Sequence, residues 1–144
     1  MAVRIGIVDQ PSDEVRTALA ALLPQLNAAI VPPDNTRLSK LISDPAVKLL
    51  VARDGESIVG TATVIVYTSP AWTKARIEDV VVDQSARGKG VGRALVEACI
   101  EIARERGCVI VELQSKRSRV EANQLYQEMG FELRDSNFYR KTLH

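Results

Sequence analysis

Hydrophobic positions in the first third of this 144-residue chain follow first the pattern of a strand and then that of helices. Val3–Val8 is a short apolar run, typical of a strand. Beyond it, apolar residues recur at helical spacing after Ser12, whose residue type favours a helix N-terminus. Pro24 is expected to kink or end this helix. A second helix is predicted near Thr36–Ser43, and Asp44-Pro45 ends it.

The middle of the chain predicts a hairpin followed by a strand and a helix. Strands are expected at Val47–Arg53 and Ser57–Tyr67, and Asp54-Gly55 between them is a typical hairpin sequence. A further strand, Ala75–Val82, leads through a glycine-rich segment into a helix with one apolar face, which Gly107 ends.

The last third predicts one strand, one helix and a final strand region. Cys108–Leu113 is an apolar run, as expected of a strand in a sheet that is covered on both faces. Ser118 and Glu121 match a capping box that starts a helix, and Gly130 ends it. Phe131–Leu133 and Asn137–Leu143 are expected to be final strand segments. The whole pattern predicts one α/β (α+β) domain over residues 1–144, with a mixed sheet and about four helices.

Composition narrows the class of protein. Hydrophobic residues make up 46% and charged residues 26% of the chain, and the net charge is +1. These values favour an ordinary globular domain, with neither nucleic acid nor a membrane as its partner. The N-terminus lacks the pattern of a signal peptide, so a cytoplasmic location is expected. Because Cys99 and Cys108 are the only cysteines and His144 is the only histidine, we expect no metal site and no internal histidine base.

The glycine-rich segment that follows Ala75–Val82 has the features of an anion site. Free N–H groups and the positive end of the dipole at a helix N-terminus attract phosphate, and glycines let the backbone approach it closely. Basic side chains add positive charge at the same place. The residues expected to surround the diphosphate of a nucleotide-containing cofactor are Arg87, Gly88, Lys89, Gly90, Val91, Gly92 and Arg93.

Two common phosphate-binding loops do not match this segment. The P-loop pattern GxxxxGK[ST] is absent. The dinucleotide pattern GxGxxG fails at its third glycine, where the chain has Arg93. Glu112 follows at the distance at which that pattern requires an acid, but it lies inside a predicted strand. A nicotinamide dinucleotide is therefore a weak alternative.

The pattern that remains, R-x-x-G-x-G at Arg87, Gly90 and Gly92, resembles that of the GNAT superfamily of N-acetyltransferases. The strand Ile77–Asp83 is similar to the central strand of that family. The segment Glu121–Phe131 is similar to the family signature N-x-x-[LAY]-Y-x-x-x-G-F. The resemblance covers roughly residues 47–140. It implies a mixed, mostly antiparallel sheet of about six to seven strands with a splayed central pair.

The resemblance implies acetyl-CoA as the cofactor, with the glycine-rich segment holding its diphosphate. The pantetheine arm of the cofactor would pair with the backbone of Val80, Val81 and Val82. Asn123 matches a family position that contacts the pantetheine or a bound water. The resemblance implies no metal ion.

The resemblance also implies residues for acetyl transfer. Tyr126 matches the general acid of the family, which protonates the departing thiolate. Glu78, Asp79 or an ordered water would take the proton of the amine. Strand alternation places Glu78 on the side of Val80 and Val82 and Asp79 opposite, although a bulge would reverse this. Some family members that acetylate protein lysines have a glutamate where this chain has Arg76.

The resulting hypothesis is an acetyl-CoA-dependent N-acetyltransferase that acts on a primary amine of a small molecule or peptide. The alternative is a catalytically inactive sensor that binds acyl-CoA or regulates a partner. Homodimers are common in the family, and no residue of this sequence argues for or against one. The sequence leaves the amine acceptor open.

Overall fold

The computed structural model describes residues 2–144 and has a five-stranded sheet in the order β1-β2-β3-β4-β5. The strands are β1 (Val3–Ile7), β2 (Val47–Asp54), β3 (Ser57–Thr68), β4 (Thr73–Val82) and β5 (Ile110–Leu113). The helices are α1 (Asp13–Leu26), α2 (Asn35–Ser43), α3 (Val91–Glu105) and α4 (Val120–Glu128), with a short 3-10 turn at Gln84–Ala86.

The chain forms two compact units, residues 1–114 and residues 115–144. The first contains the whole sheet with α1, α2 and α3, and the second contains α4 and the C-terminal segment. The single domain expected over residues 1–144 stays a prediction.

Two layers of helices cover the sheet of the first unit. On one face, α1 and α2 pack around a buried cluster, and on the other face α3 lies over β2, β3 and β4. The cluster of the first face consists of Val15, Leu19, Leu22, Leu23, Leu38, Leu49 and Val81. The buried residues of α3 are Val91, Leu95, Val96, Cys99 and Ala103. This burial of both faces explains why β2 and β3 have long apolar runs rather than strict alternation.

The sheet is mixed, as the sequence predicts. The pairs β1·β2, β2·β3 and β3·β4 are antiparallel, whereas β4 and β5 are parallel. The register between β4 and β5 runs only from Lys74↔Ile110 to Ile77↔Leu113. Because β4 continues to Val82, its second half extends beyond the end of β5. The two strands therefore pair only along the first half of β4, which agrees with the expected splay of β4 and β5.

Two expectations, on the C-terminal strands and on the cap of α4, are wrong, and one of the two outcomes expected at Pro24 does not occur. Within residues 2–144 the sheet has five strands, and neither Phe131–Leu133 nor Asn137–Leu143 forms a strand. Leu133 is 89% exposed and Leu143 is 77% exposed, so these apolar residues have no buried face to occupy. A polar stretch, RDSN at 134–137, also interrupts the pattern there.

The other two differences concern helix ends. Ser118 does not cap α4, because its carbonyl accepts the N–H of Val120 in a turn and the helix starts after Arg119. Pro24 does not end α1, which continues to Leu26. A proline inside a helix removes one hydrogen bond, and burial of Leu22 and Leu23 on the sheet offsets that loss. The cap of α1 is confirmed, since the Ser12 side chain accepts the N–H of Val15.

Gly60 in β3 allows α3 to lie close to the sheet, and replacing it tests this packing. A Cβ at Gly60 would lie 3.1 Å from Leu95 Cδ1, 3.2 Å from Val91 Cγ1 and 3.2 Å from the Val81 carbonyl oxygen. We predict that Gly60→Ala lowers the free energy of unfolding by about 1–3 kcal/mol through overpacking, measured by urea denaturation with circular dichroism.

Gly6→Ala in β1 is the matched control, because a Cβ there meets no atom within 4 Å. We expect its unfolding free energy to stay within about 0.5 kcal/mol of wild type. Equal effects of the two substitutions would show that α3 does not press on Gly60.

Candidate functional site

The glycine-rich loop between β4 and α3 is open to solvent and has a left-handed backbone at two positions. Gly88 has φ +76° and Gly90 has φ +82°, and residues other than glycine rarely adopt this region of backbone conformation. A Cβ at either position would meet nothing within 4 Å. The glycines are therefore required by backbone angle rather than by crowding, and the surface of the loop is accessible to a ligand.

Helix α3 begins directly at this loop. Gly90 is its N-cap and provides no side-chain acceptor. The first bond of the helix joins the Ala94 N–H to the Gly90 carbonyl at 3.1 Å, so the amides of Val91 and Gly92 lie ahead of it without an intrahelical partner. Lys89 is exposed beside them. This end of α3 has the donors and the dipole orientation that bind a phosphate oxygen.

Arg87 has a structural role that the sequence does not reveal. Its Nε donates to the Val82 carbonyl at 3.0 Å, and its Nη2 lies 3.4 Å from Oε1 of Gln25 in α1. Gln25 also donates to Asp83 at 2.8 Å and accepts the N–H of Gln84 at 3.0 Å. Sequence reasoning missed Gln25, because it stands about sixty residues before the loop in no recognisable motif.

The second half of β4 lies beside this loop in the same unit. Val80, Val81 and Val82 are the last residues of the strand, past the point where β5 ends. Val81 is only 2% exposed and belongs to the cluster under α1 and α2. Within the first unit this half of the strand is paired with β3 alone, as pairing with an extended ligand on the other edge requires.

A β-bulge at Asp79 reverses the facing expected for β4. Thr63 pairs with Glu78 and Thr61 with Val81, so two residues of β4 oppose one of β3. Asp79 has φ +53°. Glu78 consequently shares a face with Val81, the face of α1 and α2, and not with Val82 as simple alternation predicts.

The carboxyl group of Asp79 is electrostatically unusual. Burial raises its pKa above the ordinary value of 3.8, repulsion from Glu78 raises it further, and the positive charge of Arg37 in α2 opposes both effects. The residue as a whole is exposed, so solvent reaches the carboxyl group. A carboxyl group of this kind holds a proton more readily than an ordinary aspartate.

Glu78 is held in a network on the same face of the sheet. It forms an ion pair with Arg76, whose Nη2 also donates to Gln114 Oε1 at 3.0 Å. Two residues before Arg76 on the same face, Lys74 pairs with Glu112 of β5 at 2.8 Å. The basic residues of β4 are thus paired with acidic or amide side chains, and Arg76 fixes the Glu78 carboxylate.

In the second unit, Asn123 fastens the loop that precedes α4. Its Nδ2 donates to the carbonyls of Lys116 and Arg119, both at 2.8 Å. The amide group of Asn123, expected to contact the cofactor, is therefore engaged in ordering this loop.

Tyr126 lies one turn further along α4 and is 7% exposed. Its carbonyl accepts the N–H of Phe131, and the Gln127 carbonyl accepts the N–H of Gly130, which has φ +92°. This pattern is a Schellman cap, and the hydrophobic contact that accompanies such caps is the edge-to-face pair of Tyr126 and Phe131 at 6.0 Å. The spacing Y-x-x-x-G-F is therefore a helix terminus that fixes the tyrosine ring.

Burial raises the pKa of the Tyr126 hydroxyl above its ordinary value, and the positive charge of Arg119 opposes this. The hydroxyl keeps its proton at neutral pH and can donate it to a stronger base. Across residues 2–144 no three acidic, histidine or cysteine side chains converge as metal ligands, and no helix is long and apolar enough to span a bilayer.

Comparison with known proteins identifies the family. The chain belongs to the acetyltransferase (GNAT) family, whose model matches residues 16–131. A glucosamine 6-phosphate N-acetyltransferase of Trypanosoma brucei brucei is 39% identical over 77 residues, which are 51% of this chain and 50% of that protein. Human N-acetyltransferase 8B is 31% identical over 91 residues, 62% of this chain and 40% of that one. The chain thus spans half or less of the length of these curated relatives.

Solved structures share the fold over nearly the whole chain. An aminoglycoside acetyltransferase from an uncultured soil metagenomic sample has a TM-score of 0.83 at 23% identity, covering 98% of this chain and 97% of that one. A Trypanosoma brucei acetyltransferase has a TM-score of 0.77 at 25% identity, covering 98% and 100%. The GNAT fold expected from the sequence is confirmed.

The raised pKa of Asp79 predicts a pH-dependent stability difference. The folded protein holds this proton more tightly than the unfolded chain, so the stability that Asp79 contributes is present below about pH 3.8 and is lost as pH rises through the folded pKa. Asparagine tolerates positive φ and carries no charge. We expect Asp79→Asn to melt at a higher temperature than wild type at pH 7, with the gap closing toward pH 4.

Thermal melts followed by circular dichroism between pH 4 and pH 7 measure this gap. Asp79→Ala is the control for the backbone, because alanine loses the tolerance for positive φ and should be less stable than the asparagine variant at every pH. A gap that widens toward acid would contradict the raised pKa.

Proposed function

We propose that this protein is an acetyl-CoA-dependent N-acetyltransferase that transfers the acetyl group to a primary amine. One observation supports this most strongly: the open N-terminus of α3 follows directly on the half of β4 that extends past β5. An anion site next to an unpaired stretch of strand suits a ligand with a diphosphate at one end and an extended amide arm at the other. Family membership and the names of the relatives agree with it.

The residues of the loop fit the cofactor. The amides of Val91 and Gly92, with Lys89 beside them, would hold the diphosphate, and the open space above Gly88 and Gly90 leaves room for it. The backbone from Val80 to Val82 would pair with the pantetheine arm. Bound there, acetyl-CoA supplies the thioester from which the acetyl group is transferred.

We assign the proton acceptor to Asp79. The acceptor amine reaches the site as an ammonium ion and has no lone pair until it loses a proton. The pKa of Asp79 is raised, and this makes its carboxylate a stronger base than that of an ordinary aspartate. Glu78, held by Arg76 on the same strand, adds negative charge that attracts the ammonium ion. An ordered water between the amine and Asp79 is compatible with this assignment.

Tyr126 would supply the proton that the departing thiolate needs. Its hydroxyl is protonated at neutral pH, and the Schellman cap with Phe131 holds the ring in place. A free thiol titrates near ~8.5 and a tyrosine near ~10, so full proton transfer to a finished thiolate is slightly uphill. The hydroxyl would therefore act while the C–S bond breaks, by donating a hydrogen bond that stabilises the developing negative charge on sulfur and passing its proton along that bond. In this proposal Asp79 would take one proton from the amine, and Tyr126 would provide one proton for the departing thiolate.

The relatives suggest which amines to test. Their names specify glucosamine 6-phosphate, streptothricin and mycothiol as objects of acetyltransferases, and one structural neighbour is named a ribosomal-protein-alanine N-acetyltransferase. Another holds sisomicin. What these share is an amine acceptor, and we extend only that shared chemistry to this chain.

Calorimetry and thiol release test the proposal. We expect acetyl-CoA and CoA to bind in the micromolar range and NAD not to bind. Release of free CoA, followed with a thiol reagent, should rise above background with at least one of glucosamine 6-phosphate, sisomicin and a peptide with an N-terminal alanine. Failure of acetyl-CoA to bind would refute the proposal, and binding without turnover on a broad amine panel would favour the acyl-CoA sensor.

Tyr126→Phe tests the acid. We expect kcat to fall by about 10²-fold, the lower range for loss of a general acid, while the Kd for acetyl-CoA changes less than about threefold. Tyr139→Phe is the matched control, because Tyr139 is 84% exposed in the same unit and should leave kcat unchanged. Unchanged turnover in Tyr126→Phe would remove this residue from the acid role.

A further inference from the structure

Gln25 uses the whole hydrogen-bonding capacity of its side-chain amide. Its Nε2 donates to the Ala21 carbonyl at 3.1 Å and to Asp83 Oδ1 at 2.8 Å. Its Oε1 accepts the Gln84 N–H at 3.0 Å and Arg87 Nη2 at 3.4 Å. A primary amide has two N–H donors and two acceptor lone pairs, so all four are engaged. The amide therefore has one orientation only, since exchanging N and O would oppose donor to donor.

Three of these four contacts lie on the segment that leads into the glycine-rich loop. Asp83 itself is fixed there, because its N–H donates to the Val59 carbonyl and its carboxylate accepts the N–H of Ser85. The bonds from Ser85, and after them those from Gln25, lower the pKa of Asp83 and keep its carboxylate charged. The charged carboxylate strengthens the bond from the Gln25 amide.

The contacts divide the loop into a held part and an open part. Gln25 contacts Asp83, Gln84 and Arg87 in the held part, and Ala86 between them is 1% exposed. Gly88 and Gly90, which follow, have open space around them. A loop fixed on one side loses less conformational entropy when a ligand orders the rest, so its ligand binds more tightly.

We propose that Gln25 is a positioning residue for the glycine-rich loop. From the C-terminal turn of α1 it holds Asp83, Gln84 and Arg87 in the conformation that presents the N-terminus of α3 to the cofactor. This inference rests on the proposed function for its effect on acetyl-CoA, but not for its effect on the loop itself. It also gives a reason for α1 to continue past Pro24, because a helix that ended there would not place Gln25 against the loop.

The first experiment compares steady-state kinetics of wild type and Gln25→Ala. We expect the KM for acetyl-CoA to rise about tenfold and kcat to stay within about twofold of wild type. A tenfold rise in KM corresponds to the free energy of roughly one to two hydrogen bonds. A fall in kcat with an unchanged KM would overturn the proposal, because Gln25 would then act on the chemical step.

Glu14→Gln is the matched control on the same helix. It weakens the ion pair between α1 and Arg53, whose Nη2 lies 2.6 Å from Glu14 Oε1, and does not touch the loop. We expect its KM for acetyl-CoA to equal that of wild type. An equal rise in both variants would show a general loosening of α1 and would contradict a specific role for Gln25.

A double-mutant cycle with Asp83→Ala tests whether the two residues act together. Because Gln25 and Asp83 share one hydrogen bond, the rise in KM of the double variant is expected to be smaller than the product of the two single rises. Independent, multiplying effects would overturn the proposal.

Amide hydrogen exchange separates this inference from the proposed function. In the protein without any cofactor, we expect exchange of residues 83–90 to be at least about tenfold faster in Gln25→Ala than in wild type, since the Gln84 N–H loses its acceptor. Unchanged exchange would refute the positioning role even if acetyl-CoA binds. Wild-type protein that binds no acetyl-CoA would refute the proposed function, and the exchange comparison would still decide the role of Gln25.

Discussion

Strand β4 must satisfy the hydrophobic core and the candidate site together, and the bulge at Asp79 makes this possible. Without the extra residue, Val81 would face α3 instead of the cluster beneath α1 and α2. With it, Val81 is buried and Glu78 lies on the same face. Asp79 takes the positive φ of the bulge, which aspartate tolerates better than most residues. The core of the first unit and the acidic groups of the site therefore depend on one irregularity of the backbone.

The same strand leads directly into the glycine-rich loop. At its end, Asp83 turns the backbone, Gln25 holds the turn, and Gly90 starts α3 in a left-handed conformation. Ordering the glycines of the loop costs conformational entropy. Burial of Leu95 and Val96 between α3 and the sheet offsets this cost. Helix α3 is thus a core element whose first turn remains available for an anion.

The family signature in the second unit has a structural role of its own. Gly130 and Phe131 close α4 with a Schellman cap, and Asn123 orders the loop before the helix. Both fix Tyr126, whose hydroxyl we assign to proton donation. Asn123, which the resemblance places at the cofactor, is explained by its bonds within this unit, so its contact with the cofactor stays a prediction.

Local sequence patterns determined most of the helices and strands. The spacing of apolar residues, the cap at Ser12 and the glycines at helix ends are signals that depend only on residues close together in the chain. They also predicted the glycine-rich loop before α3, since Gly88 and Gly90, whose backbone is left-handed, leave a local signal. Only the tertiary structure decided what depends on distant residues. The bulge at Asp79 comes from the pairing of β4 with β3. The hydrogen bonds of Gln25 to the loop join segments about sixty residues apart. The C-terminal segment has no strands because its apolar residues are exposed and reach no buried face.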